Sequence, residues 1–303
     1  MQVSIKSAAR QFLLAFRLLS SKDPLRLAGA TAFFATFALP FILIILVQVL
    51  SLVINRKTIS HEFFTRMSAI LGQKGMSQLV TTVRGFRGLV NTPLEMILGS
   101  LFMIFVATTL FRVIKNSMNE LWLIRLKPGQ RFTSSLTSRF HSLILILLTG
   151  VLFVAGGLLE SLQLLFGRNI DELIPGTGIV FTGFVSFLIS VSVTTIWFGV
   201  LLFYVPDGRP ERKPGITGAI LTALLFALGK WILKVLLVNS NIDRVFGAAG
   251  SFVLVLLFVF YSAMILYFGA AFTKVWSDFT GRPIRPANKA VSYTIQDHHD
   301  EEA

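Results

Sequence analysis

Lys230 and Lys234 stand one helical turn apart in a stretch, Pro214 to Val238, that carries no other charge. Ionisable groups at membrane depth are costly, so they are the natural place to look for function in an apolar chain. If that helix starts near Gly215, Lys230 lies ~22 Å along it, in the outer half of a hydrocarbon core of roughly 30 Å. Glu160 closes one long apolar run and Glu95 opens another, and both are expected at the same level. Two lysines and two glutamates there can form a polar layer that pairs within the bundle or takes an anionic substrate. They can also be helix-end carboxylates beside lysines that snorkel to the headgroups, which is the less demanding arrangement. The offset between the lysines separates their tasks: Lys234 reaches the outer interface, whereas Lys230 needs a buried partner, for which Glu160 is the first candidate. Ser186, Ser190 and Thr194, spaced by four with Trp197 nearby, add a hydroxyl stripe that could line a wet cavity. Hydroxyls in membrane helices more commonly bond back to their own helix or bridge to a neighbour.

Soluble-enzyme chemistry is not motivated. The four histidines, His61, His141, His298 and His299, include no pair at ligand spacing on an ordered element. HHDEE near the end reads as a solvated run able to bind metal only adventitiously. Phosphate-binding glycine loops, nucleophile elbows and HExxH are missing from the sequence. With 0 cysteines there is no disulfide, thiolate site or cysteine nucleophile. No catalytic, metal-binding or cofactor-binding residue is assigned, and no cofactor is expected.

The elements that position these residues are six apolar runs: Leu27 to Asn55, Met96 to Phe111, Phe140 to Leu159, Leu173 to Pro206, Pro214 to Gly229 and Val245 to Thr273. About 20 apolar residues span a bilayer as a helix, and lipid leaves no alternative partner for the backbone. The expected class is an all-α polytopic membrane protein with six transmembrane helices, near 28–54, 93–113, 141–163, 178–205, 215–238 and 247–274. Hydrophobic residues at 54%, charged residues at 14% and a mean hydropathy of +0.73 agree. The net charge of +13 would suggest nucleic acid in a soluble chain. Here it follows from orientation and attraction to anionic lipid, and no nucleic-acid partner is expected.

Lys and Arg number 18 in the arm 1–27, the connections 112–139 and 206–214, and the tail, against 8 on the opposite side. Both termini are therefore expected in the cytoplasm, with 56–92 outside. That outer segment is amphipathic and reads as short periplasmic helices between spans one and two. The arm 1–27 places Ile5, Ala8, Ala9, Phe12, Phe16 and Leu19 on one stripe, the pattern of a helix in the membrane interface or packed under the bundle. PDGRPERKP, Pro206 to Pro214, reads as a stiff, exposed link. The tail 277–303 lacks apolar periodicity and reads as disordered. Ala28, Ala32 and Ala35, Gly247 with Gly250, and Gly269 with Ala270 and Ala271 mark close helix contacts.

Four segments together carry a family likeness: AGATAFFATFALPFILII (28–45), NELW (119–122), the run from Tyr204 to Trp231, and that from Phe246 to Thr273. In this order they resemble the YihY/BrkB family of bacterial inner-membrane proteins. The resemblance implies six spans, a location in the bacterial cytoplasmic (inner) membrane and no secure molecular function. Members have also been labelled ribonuclease BN, which looks like a misassignment because the chain lacks a metal-hydrolase His and Asp cluster. Many members have an acid where this chain has Ala271, so no proton or cation role carries over to that position. The expected function is a transporter or lipid-handling membrane component, with membrane lipids, including anionic ones, as partners. The alternative is a structural or scaffolding protein with membrane-protein partners, and a membrane-bound ribonuclease comes last.

Overall fold

The computed structural model describes residues 5–50, 92–128, 142–152, 177–238 and 250–294, with 68, 76–77, 80–81, 85 and 155–156 between them. Apolar length makes seven helices among these: α1 (Ile5–Ser20), α2 (Pro24–Leu50), α3 (Pro93–Leu121), α4 (Ser142–Leu152), α5 (Thr177–Tyr204), α6 (Arg212–Val238) and α7 (Gly250–Phe279). Five of them, α2, α3, α5, α6 and α7, are long and apolar enough to cross a membrane. The all-α polytopic class read from the sequence holds. α4 occupies the first half of the third apolar run. Most of the rest of that run, Gly247, and most of 56–92 with its expected outer helices lie outside the described residues.

α7 is the hub, packing against α1, α2, α3 and α6, while α2 also holds α3 and α6 holds α5. Lipid is as apolar as leucine, so close approach and interhelical hydrogen bonds supply the association. Ala28, Ala32 and Ala35 are buried, as their spacing implied. Between α6 and α7 the contact is reciprocal. Thr222 Oγ1 donates to Gly218 O at 2.6 Å and Thr273 Oγ1 donates to Gly269 O at 2.8 Å, each within its own helix. Each threonine also sits where a side chain on the opposite glycine would have to go, Thr222 against Gly269 and Thr273 against Gly218. The Tyr267 hydroxyl, fully buried between α2, α3 and α7, is satisfied by Thr31 and Ser117. α4 joins the ring through Gly150 against Leu46 and through Trp197 Nε1, which donates to Thr149 Oγ1 at 3.2 Å.

One end of the bundle is closed by a clasp built from four short strands: β1 (Ile124–Leu126), β2 (Gly208–Arg209), β3 (Arg285–Pro286) and β4 (Ala290–Ser292). β1 pairs antiparallel with β4, and β2 with β3. The tail thus bonds both the segment after α3 and the α5–α6 loop. Two expectations are corrected here and a third is refined. The tail is ordered from 277 to 294, because Tyr293 N donates to Leu123 O at 2.9 Å and Lys127 N to Lys289 O at 3.0 Å. Residues 295–303 lie outside the described residues. The Pro206 to Pro214 loop is packed, with Pro206, Gly208, Pro210 and Pro214 buried. A Cβ on Gly208 would come within 2.5 Å of Trp122, 2.7 Å of Ile124 and 2.9 Å of Ile284, so the residue must be glycine for the clasp to close. Finally, α1 buries Gln11, Ala15 and Leu19 against α7 and leaves Phe12, Leu13 and Phe16 exposed, although the Phe12 ring touches Phe268 at 4.7 Å between centroids. The stripe is therefore split between a face packed on α7 and an exposed one. Packing on α7 agrees with the second reading of the arm, a helix held against the bundle.

Candidate functional site

The clasp gathers polar groups from elements far apart in sequence. α3 carries Lys115 and Asn119 one turn apart, hence on one face. Both meet Asp207 in the loop after α5: Lys115 Nζ lies 2.8 Å from Asp207 Oδ1, and Asn119 Nδ2 donates to Asp207 Oδ2 at 2.8 Å. The Asp207 backbone N–H donates to Asn119 Oδ1 at 2.8 Å, and Asp207 O accepts from Ala287 N at 2.8 Å. Each side chain of the Lys115–Asp207 pair is 16% exposed. α3 stops just beyond: Trp122 caps it, Leu123 takes a left-handed φ of 54°, and the Trp122 Nε1 donates to Ala270 O at 2.9 Å. A small tethered network therefore fixes α3, the α5–α6 loop, the tail and α7 to one another.

Beside this network lies a cavity of about 540 Å³. Phe111, Leu145, Tyr204 and Val205 form an apolar wall, while Lys115, Arg209, Arg285 and Lys289 bring cations, with Asp207 the one acid in its described lining. The volume falls in the range of small-ligand sites, which bring together an apolar lining and a few convergent polar groups. Arg209 Nη1 donates to Phe203 O at 2.5 Å, which uses one of its five donors. Among the described residues no three of His, Cys, Asp and Glu come together at metal-binding distance.

The model of the family described as virulence factor BrkB matches residues 15–292. The chain belongs to the BrkB family. Curated relatives agree in kind. It is 26% identical over 180 residues to a UPF0761 membrane protein of Teredinibacter turnerae, covering 59% of this chain and 40% of that one. With a UPF0761 membrane protein of Pseudoalteromonas translucida it shares 24% identity over 174 residues, 57% of this chain and 55% of that one. A third, from Pseudomonas aeruginosa, is 26% identical over 178 residues, 57% of this chain and 40% of the relative. The chain thus spans about half the length of the curated relatives it matches. No solved structure matches it.

In this BrkB-family bundle the described residues among those singled out from the sequence lie away from the clasp. Lys230 is half-buried with Nζ 5.3 Å from the Phe226 ring centroid, and that ring packs on Phe198 and Phe258. Glu95 accepts from Thr92 N at 3.0 Å while Glu95 N donates to the Thr92 hydroxyl at 3.3 Å, a reciprocal cap on α3. Ser186 and Ser190 are half-buried on α5, and Thr194 Oγ1 donates back to Ser190 O at 2.7 Å. Glu160 and the Lys234 side chain lie outside the described residues, as do all four histidines. Sequence reasoning passed over Asp207, Asn119, Lys115, Arg209, Arg285 and Lys289 as a group. A signal existed: Asn119 and Trp122 fall in NELW, and Asp207 and Gly208 in the YVPDGRP run, two of the segments that carried the family likeness.

Proposed function

We propose that this BrkB-family chain is a lipid-handling component of a bacterial cytoplasmic membrane, working from the clasp end of a six-span bundle whose termini are both cytoplasmic. One observation supports the reading: the cavity of about 540 Å³ joins an apolar wall to a cationic one at the end of the membrane-crossing helices, the depth at which a phospholipid passes from acyl chain to headgroup. The names of the matched relatives speak of membrane proteins and ascribe no catalysis to them. The scaffolding reading is supported by the contact of the Phe226 ring with Phe198 and Phe258, which fills part of the space between α5, α6 and α7 with aromatic side chains. A lipid held at one end needs no path between those rings, so the two observations are compatible.

Purified in mild detergent and examined by native mass spectrometry, the full chain is expected to retain one or two phospholipids through delipidating washes. Protein that is uniformly lipid-free, yet as stable as before the washes, would remove the basis for the reading. Orientation has its own check. Reporters fused at Gly75 and Gly129 are expected in opposite compartments, with Gly129 cytoplasmic, and the same compartment at both would end the six-span assignment.

A further inference from the structure

We infer that the cationic wall of the cavity is a binding site for a phosphate ester, and that Arg209, Arg285 and Lys289 are its recognition groups. The inference rests on the lipid-handling reading for the source of the ligand, but not for its chemistry. Arg209 and Arg285 are direct partners across the β2–β3 pair. Residues so opposed have Cβ atoms only ~5 Å apart on one face, and like charges in that position repel and destabilise the pair. Such a juxtaposition makes sense where an anion lies between the guanidinium groups and turns repulsion into a shared bridge.

The charges around it point the same way. Asp207, the acid in the described lining, is taken by Lys115 at 2.8 Å. Among the described residues neither Arg285 nor Lys289 has a carboxylate partner. Lys289 is held at the cavity because its carbonyl accepts from Lys127 N at 3.0 Å in the clasp. Three cations thus face one cavity with no carboxylate counter-ion among the described residues. Arginine's planar fork matches phosphate oxygens two at a time, which favours phosphate over a simple halide. The cavity exceeds what a bare phosphate fills, and Tyr204 on the apolar wall is placed to cover the carbon part of an ester.

The test uses the full chain in nanodiscs of phosphatidylcholine, with thermal unfolding followed at fixed ionic strength. Short-chain phosphatidic acid, short-chain phosphatidylcholine and inorganic phosphate are titrated separately against wild type, Arg285→Gln and Lys289→Gln. Phosphatidic acid is expected to raise the midpoint and phosphatidylcholine much less. Arg285→Gln should weaken the apparent affinity about tenfold or more. Without ligand the same variant should be at least as stable as wild type, since a like-charge pair has been relieved, so loss of binding cannot be mistaken for misfolding. An equal response to inorganic phosphate, abolished in the variant, would uphold the anion site and identify free phosphate or a soluble ester as the ligand, against the lipid-handling reading. Equal stabilisation by both lipids, unchanged in either variant, would overturn the inference while leaving lipid handling standing. No response to any of the three would overturn both.

Discussion

Asp207→Ala is expected to be among the most damaging single substitutions in this chain, lowering stability by about 3–5 kcal/mol. The carboxylate is the shared partner of Lys115 and Asn119, at 2.8 Å from each, and its removal leaves a mostly buried ammonium without its counter-charge. The penalty comes from that stranded charge more than from the lost attraction. Two companions make the argument specific. Lys115→Met combined with Asp207→Ala should recover part of the loss, because neither charge is then left alone. Lys274→Met, which breaks an exposed i,i+4 pair with Asp278, should change stability by about 1 kcal/mol or less. Reversible unfolding in mixed micelles reads all three, and an Asp207→Ala variant as stable as Lys274→Met would refute the role given to the network.

Gly269→Leu should rival it. A Cβ at Gly269 falls on the Thr222 hydroxyl, and the rest of the leucine side chain would drive α7 away from α6. Overpacking of this kind costs about 1–3 kcal/mol where the structure can adjust. Adjustment is hard here, because Thr222 and Thr273 are fully buried and each hydroxyl is bonded within its own helix. Gly218→Leu should fail in the same way against Thr273. Gly183→Ala is the control, with nothing within 4 Å of its added Cβ. The wedge variants should accumulate as aggregated or degraded protein and melt earlier in detergent. Wild-type melting in Gly269→Leu would mean that the two helices are not in this contact.

The spans were legible because lipid imposes a length and a composition, and both can be read from one sequence. Ala28, Ala32 and Ala35 were legible for a similar reason, since residues three and four apart must share a helix face. Gly269 could be marked as a contact, but not Thr222 as the residue it meets, because which helices touch is not written in the periodicity of either. The clasp was illegible for a sharper reason. Strands of two and three residues have no alternation to detect, so the tail looked disordered and the proline-rich loop looked solvated. Asp207 sat between Pro206 and Gly208 and read as a turn residue. Its partner Asn119 is 88 positions away, a pairing no local pattern announces. Arg209 and Arg285 were counted only as charges that set orientation. Their opposition across β2 and β3 appears once the register is known. The lysines at depth drew attention because charge in an apolar run is conspicuous, whereas charge in a basic connection is not.

The most direct test is a high-resolution cryo-EM map of the full chain in nanodiscs formed from bacterial phospholipid. A headgroup-sized density in the cavity, within hydrogen-bond distance (~3 Å) of Arg285 or Lys289 and continuous with an acyl chain along Tyr204 and Leu145, is the expected result. A map of equal quality with ordered lipid around the outside of the bundle but none in that cavity would contradict it.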